Sequence, residues 1–410
     1  MARHPELLIP ASSLEVLKTA VVFGADAVYI GGEAFGLRAK AKNFSMEDMK
    51  EGVQFAHEHG ARVHVTVNIL AHNDDLEGAA EYLKELKEIG PDALIIADPA
   101  IFMLAKEICP EIERHVSTQA NNTNYGTFNF WWNLGAKRVV TARELSLKEI
   151  REIRAHIPAE MEIESFIHGA MCISYSGRCL LSNFFTGRDA NQGACTHPCR
   201  WKYSVVEETR PGEYMPVYEN ERGTYIFNSK DLCMIEHIPE MIDAGIDSFK
   251  IEGRMKTALY VATVARTYRK AIDDYLEDPK KYEANMHGTG IRFRTVHTVS
   301  LRQDFIWKPG DESQIYDSNT YIKEYTYLGI IGGIKDGMYR IEQRNKFSVG
   351  ETVEIMKPDG QNVEVTVEKI VDEDGQEQES APHPKQVLYV ALSGEASVYD
   401  ILRRQEGVTE

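Results

Sequence analysis

FGADAVYI at residues 23–30 joins a helix to a strand, and the same phrase returns as IGPDALII at 89–96, LGAKRVVT at 134–141 and AGIDSFKI at 244–251. In each, a glycine follows an amphipathic stretch and a strand-like run follows the glycine. Glycine takes up the left-handed conformation that ends a helix without steric cost. β-Branched and aromatic residues fit a pleated, buried strand. A joint that recurs in this way marks a repeated strand–helix unit.

Working outward from these joints, strands are expected near 6–10, 27–31, 63–68, 93–97, 114–119, 137–142, 161–167 and 247–252, with helices such as 13–23 and 75–89 between them. Eight alternating units make an α/β (β/α)8 TIM-like barrel the leading fold for residues 1–277. A doubly wound open sheet is the competing arrangement. No G-x-G-x-x-G follows the first strand, so dinucleotide binding of the Rossmann kind has no support.

One unit is irregular. After strand seven the next helix is expected only near Asp231, which leaves a cysteine-rich insertion over 169–230 at the catalytic end of the barrel. Loops of that length in a compact domain are usually functional. Farther on, YLGIIGGI, MYRIEQ, ETVEIM and VEVTVEKI alternate with turns such as KDG, KPDG and DEDG. That pattern predicts a small β-barrel domain at 320–410, joined by a linker at 278–319. EDGQEQESAPHPKQ reads as a mobile loop.

The chain has 410 residues, of which 43% are hydrophobic and 27% charged, as expected of a globular protein with an ordinary core. Forty-six basic against 63 acidic side chains give a net charge of −17, which argues against broad, non-specific nucleic-acid binding. A local basic mouth from Arg200, Lys202, Lys250, Arg254 and Lys256 remains compatible with that balance. No apolar run is long enough for a membrane span, and MARHPELLIPASS lacks the apolar stretch of a signal peptide. The expected compartment is the cytoplasm, where thiols stay reduced.

The insertion reads IHGAMCISYSGRCLLSNFFTGRDANQGACTHPCRWKY and places Cys172, Cys179, Cys195 and Cys199 in the spacing C-x6-C-x15-C-x3-C. Four of the chain's six cysteines fall within 28 residues. Three readings compete. An iron–sulfur cluster takes four thiolates from Gly- and Ser-rich loops. Structural zinc prefers two close pairs, which Cys195 and Cys199 satisfy and Cys172 and Cys179 do not. Disulfides are disfavoured in a reducing compartment. Cys109 and Cys233 fall in predicted helices and read as small buried hydrophobes, with Cys233 a reserve ligand.

Barrel chemistry is expected at the carboxyl ends of the strands. Asn68, Asp98, Gln119, Asn121, Arg143, Glu144, Glu164, His168, Lys250, Glu252 and Arg254 fall there. Lys250, Glu252 and Arg254 form K-x-E-x-R, three charges on one face of strand eight and its exit; such a set must pair or meet a charged ligand. Arg143 and Arg254 suit a carboxylate clamp. His168, four residues before Cys172, is a candidate proton shuttle or a structural histidine. No Ser-His-Asp order and no H-E-x-x-H motif supports peptide hydrolysis.

ESFIHGAMCISYSGRCLLS, NQGACTHPCRW, ELLIPASSLEVLKTAVVFGADAVYIGG, HVSTQANNTN and FKIEGRMKTALYVATVARTYRKAID together closely resemble the peptidase U32 family, collagenase-like proteins once classed as proteases. The resemblance extends over nearly the whole chain and is closest to the family's tRNA-hydroxylation branch. It implies oxygen-independent hydroxylation of the tRNA wobble uridine to 5-hydroxyuridine, with prephenate as co-substrate and a 4Fe-4S cluster on cysteines. Cys172, Cys179 and Cys195 match the family's cysteine pattern, and Cys199 matches the fourth position of some branches. From their places at the strand ends, the candidate catalytic set is Glu164, His168, Arg143, Lys250, Glu252 and Arg254. The candidate substrate contacts are Asn68, Asp98, Gln119 and Asn121, with Phe166 or Trp201 available to stack a base. The implied partners are the tRNA anticodon loop and a paralogous subunit, and no membrane is involved. The rival readings are a collagenase-like protease and a non-catalytic RNA-binding subunit.

Overall fold

The computed structural model describes residues 4–33, 35, 43–170, 175–176, 178–188, 195–196, 198, 218–220, 223–225, 231–254, 256–288, 301–302 and 325–406. Cys172, Cys199, Arg200, Trp201 and Lys202 lie outside the described residues.

Eight parallel strands form the first body: β1 (Glu6–Pro10), β2 (Ala27–Gly31), β3 (Arg62–Val67), β4 (Ala93–Ile96), β5 (Glu113–Val116), β6 (Arg138–Val140), β7 (Glu162–Gly169) and β8 (Ser248–Ile251). Each pairs with its sequence neighbour, β8 pairs with both β7 and β1, and the sheet closes into a barrel. Helices α1 (Leu14–Val22), α2 (Met46–Glu58), α3 (Asn73–Ile89), α4 (Pro99–Ile108), α5 (Tyr125–Leu134), α6 (Leu147–Ala155), α7 (Ile238–Asp243) and α8 (Ala258–Glu277) surround it. Their starts are written in the sequence. Ser13, Ser45, Asp98, Asn124, Ser146 and Thr257 each accept a first-turn backbone amide. Outward strand residues such as Leu7, Ile9, Val28, Val63 and Ile163 interleave with Leu17, Leu83, Phe102 and Tyr268 from the helices, all fully buried. Burial stabilises each such side chain by about 1.5–3 kcal/mol.

The repeated joint does more than stop a helix. Gly24, Gly90, Gly135 and Gly245 all adopt positive φ. The aspartate two residues on accepts an amide from the preceding strand: Asp26 from Leu7 at 2.7 Å, Asp92 from Val63 at 2.7 Å and Asp247 from Ile163 at 2.8 Å. In LGAKRVVT the same position is Lys137, and this latch is missing from that joint.

Two sequence expectations change. Residues 231–233 form a short strand rather than the start of a helix. It runs antiparallel to the end of β7, with Cys233 opposite His168. Cys233 is buried as expected, but in this strand, with its Sγ 3.7 Å from Tyr268 Oη. Cys109 is likewise buried, at the C-terminal end of α4. The stretch 373–386, read as a mobile loop, is pinned: Gln378 pairs with Ile370, and the Ala381 amide donates to Phe347 O at 2.8 Å. Its backbone groups are taken up by the sheet beneath.

The second body holds β9 (Tyr325–Lys335), β10 (Met338–Glu342), β11 (Thr352–Met356), β12 (Asn362–Asp372), β13 (Glu377–Gln378), β14 (Val387–Leu392) and β15 (Ile401–Gln405). Six of these close an antiparallel ring, β11-β15-β9-β10-β14-β12 and back to β11, with β13 on the flank. Its interior is hydrocarbon: Leu328, Ile331, Ile341, Phe347, Ile355 and Leu388 are fully buried there. It docks on α1, α2 and α8. Arg344 reaches Glu15 at 2.6 Å, Arg266 donates to Lys357 O at 2.8 Å, and Tyr399 packs edge-on against Phe55.

Candidate functional site

The lumen of the eight-stranded barrel is built from inward residues that look out of place in apolar strands. Arg138 on β6 reaches Glu6 on β1, and the two strands are not neighbours, so the contact crosses the lumen. Arg138 also donates to Glu162 Oε2 at 2.6 Å and to Glu164 Oε2 at 3.1 Å. Lys250 Nζ on β8 donates to the other Glu164 oxygen at 2.6 Å. Glu164, Arg138 and Lys250 are buried. Burial opposes ionisation of Glu6, yet the adjacent Arg138 guanidinium holds its carboxyl well below the usual range.

One layer up, toward the carboxyl ends, the lumen turns aromatic and cationic. Lys250 Nζ lies 4.5 Å from the centroid of the Tyr29 ring and 5.4 Å from that of Phe166. The Arg143 guanidinium stacks on Phe166 at 4.0 Å, donates to Ala170 O at 2.9 Å and lies 3.6 Å from Glu252. Arg254 donates to Thr66 Oγ1 at 3.1 Å and faces Asn43 at 3.5 Å. Two glycines make room. A Cβ on Gly31 would lie 2.6 Å from Arg254 Nη2, and one on Gly169, where φ is +104°, would lie 2.4 Å from Glu252 O. The geometry therefore brings Glu164, Lys250, Arg143, Glu252 and Arg254 into the lumen and its mouth.

The remaining sequence candidates divide. Asn68 Nδ2 reaches Ser117 Oγ at 3.4 Å at the mouth. Gln119 lies in a turn of 3-10 helix after β5 and Asn121 follows it at φ 55°; Gln119 Oε1 and Asn121 Oδ1 are buried without a partner among the described residues. Asp98 caps α4 through the amides of Ala100 and Ile101 and also accepts from Ala71. Its oxygens hold the local fold. His168 packs against Tyr260 and Tyr268 of α8, with Nδ1 3.3 Å from Tyr268 Oη. Glu144 is exposed, and partial desolvation raises its carboxyl above the ordinary value.

Of the insertion's cysteines, Cys179 is a half-buried free thiol and Cys195 is exposed. Their segments are tied together: Thr196 donates its amide to Ser182 Oγ at 3.1 Å, and Ser182 opens the second position of the short helix Leu181–Thr186 that follows Cys179. Two thiols on linked polar turns are donors of the kind an iron–sulfur cluster takes. Cys233 lies opposite His168 near the end of β7.

Sequence reading missed Glu6, His64, His115, Arg138 and Glu162. The signal was present. RVHVTV, ERHV and KRVV each carry a polar side chain at inward parity in a run of apolar ones. His64 and His115 are fully buried, with ring centroids 4.8 Å apart and planes at 85°. Burial pushes both imidazoles well below the ordinary histidine pKa.

Comparison with known proteins matches residues 12–310 to peptidase family U32 and residues 323–403 to the peptidase family U32 C-terminal domain. The chain is 42% identical to tRNA hydroxylation protein P1 of Bacillus subtilis, covering 98% of this chain and 96% of that protein. It is 39% identical to tRNA hydroxylation protein P2 of the same organism, covering 74% and 96%. It is 41% identical to a 23S rRNA 5-hydroxycytidine synthase of Escherichia coli, covering 67% and 40%. With a barrel, a mouth and a C-terminal body that all fall within those matches, the chain belongs to peptidase family U32.

Proposed function

We propose that this protein is an RNA-modifying hydroxylase that converts the wobble uridine of tRNA to 5-hydroxyuridine. The observation that carries the reading is the near end-to-end likeness to a tRNA hydroxylation protein. The name of the rRNA relative, a 5-hydroxycytidine synthase, supports hydroxylation at C5 of a pyrimidine. A wobble base is already single-stranded, so drawing it into a pocket costs little.

The mouth supplies suitable contacts. The Phe166 face is covered by Arg143, and this stacked pair offers a platform for a base and a cation for an anion beside it. Gln119 Oε1 and Asn121 Oδ1 are acceptors for a pyrimidine N–H. Arg143 and Arg254 would clamp the carboxylates of prephenate, and Glu252 keeps Arg143 in place. Lys250 and Glu164 form a buried acid–base pair beneath. Cys172, Cys179 and Cys195, with Cys199 or Cys233 as the fourth ligand, would hold a 4Fe-4S cluster. When bound it supplies one-electron redox chemistry at the mouth.

Among the described residues no helix is long and apolar enough to cross a membrane. The reading places the protein in the cytoplasm with its tRNA. The paired P1 and P2 relatives in one organism support a paralogous subunit as partner. Nucleoside analysis of tRNA from a deletion strain, in a background without paralogues, tests the function. Loss of 5-hydroxyuridine derivatives, restored by the wild-type gene but not by Cys179→Ser, is expected; undiminished derivatives would sink it. Iron and sulfide in equal amounts after anaerobic purification are expected, whereas zinc without sulfide would refute the cluster.

A further inference from the structure

We propose that His64, His115 and Glu164 form a binding site for a divalent transition-metal ion of the zinc class, inside the barrel and separate from the cysteines. The three side chains are fully buried, and one ligand atom from each lies within 4.8 Å of the others. They come from β3, β5 and β7, alternate strands whose inward residues share a layer. His64 Nδ1, His64 Nε2 and His115 Nδ1 have no hydrogen-bond partner among the described residues. Ring nitrogens sealed from water in this way need a partner.

The chemistry of the set selects the ligand. Two imidazoles and a carboxylate, with no thiolate, suit zinc, cobalt or nickel rather than a soft cluster metal or a hard all-oxygen cation. His115 Nε2 lies 3.1 Å from Glu113 Oε2. With the proton on Nε2, Glu113 accepts it and Nδ1 is left to bind, the carboxylate–histidine–metal arrangement of many zinc sites. Glu164 keeps room for a third partner: Lys250 takes one oxygen and Arg138 the other, and an ionised carboxylate accepts about four contacts.

Ligands on a tetrahedral ion with bonds of about 2.1 Å stand roughly 3.4 Å apart, so side-chain shifts of an ångström or so close the site. Phe166 and Thr66 lie one layer nearer the mouth, so the ion would brace three strands rather than meet substrate.

The test uses the full-length protein, purified anaerobically with its cysteine site loaded, then equilibrated with Zn2+ or Co2+ and desalted. One equivalent of added metal per chain is expected. It should persist in Cys179→Ser/Cys195→Ser, weaken at least tenfold in His64→Phe, and raise the melting temperature of the wild type but not of His64→Phe. No added metal in the wild type overturns the site, as does metal that is lost with the cysteines and kept by His64→Phe. Should His64→Phe fail to fold, the wild-type Co2+ form decides. Paramagnetically shifted ring signals from two histidines uphold the site, and their absence overturns it. Because the readout is binding, this outcome is independent of whether tRNA is hydroxylated.

Discussion

Two closed barrels share this chain and fill their interiors in opposite ways. The six-stranded antiparallel barrel packs Leu328, Ile331, Ile341, Phe347, Ile355 and Leu388 into a dry centre. The eight-stranded parallel barrel keeps only a small apolar cluster of Leu8, Ala27, Tyr29 and Ile95 apart from the shell beneath its helices. The rest of its lumen includes Glu164, Arg138, Lys250, His64 and His115. A hydrocarbon centre stabilises by burial alone. A charged one survives only when every group is paired, and removing one partner leaves the others exposed to a low dielectric. The six-stranded barrel is therefore a support, and the eight-stranded one carries polar groups that its stability alone does not call for.

The largest expected effect is on the charged lumen. Arg138→Met removes the cation shared by Glu6, Glu162 and Glu164 and should cost about 3–5 kcal/mol, read as a lower denaturant midpoint. A change under 1 kcal/mol would show that the network is water-filled and loosely coupled. Leu388→Ala in the dry barrel should cost about 2–5 kcal/mol through the cavity it leaves. The folded fraction of that variant should hydroxylate tRNA normally. If activity disappears while the eight-stranded barrel stays folded, the second barrel is more than a support.

At the mouth, Arg254→Ala should lower kcat/KM by about 10–150-fold, the worth of a charge-assisted hydrogen bond of about 1.5–3 kcal/mol. Stability should change little, since Thr66 and Asn43 lie close enough to the mouth to rehydrate. Gly31→Ala should reproduce part of this loss by displacing the guanidinium.

A separate effect is a pH slope of stability. His64 and His115 stay neutral in the folded state well below the ordinary histidine range. Below the unfolded value of about 6.5, the unfolded chain therefore binds protons that the folded chain refuses, and stability falls as pH drops. The loss should reach about 1.4 kcal/mol per pH unit for each ring, down to its folded pKa. Glu6, whose folded pKa is depressed, adds its own loss only at more acid pH, where its unfolded carboxyl begins to protonate. Urea midpoints between pH 7 and 5 measure the slope, and His64→Phe should flatten it.

The same contrast explains what could be read from the sequence. The alternating units, the four glycine joints and the turn-rich C-terminal strands are local patterns, and each barrel followed from them. The K-x-E-x-R phrase gave Lys250, Glu252 and Arg254 because all three lie on one strand and its exit. Arg138, His64 and His115 were harder, since their partners come from strands across the lumen. Only closure of the sheet reveals that Arg138 meets Glu6, 132 residues away. Cys233 was placed in a helix because pairing with β7, a long-range contact, decides that it is a strand. Asp98 looked functional at a strand end, where a helix cap and a ligand-binding carboxylate have the same sequence signature.

The aspartate latches carry a consequence for the order of folding. Asp26 closes a loop of 19 residues to Leu7 and Asp92 one of 29 to Val63, whereas Asp247 must reach back 84 residues to Ile163. Loop closure grows costlier with length, and distant contacts form late. The early strands can therefore set their register while the chain is still being made, and the pairings of β8, with β7 and then with β1, are the last to shut. Cys172, Cys179, Cys195 and Cys199 all lie inside that final loop.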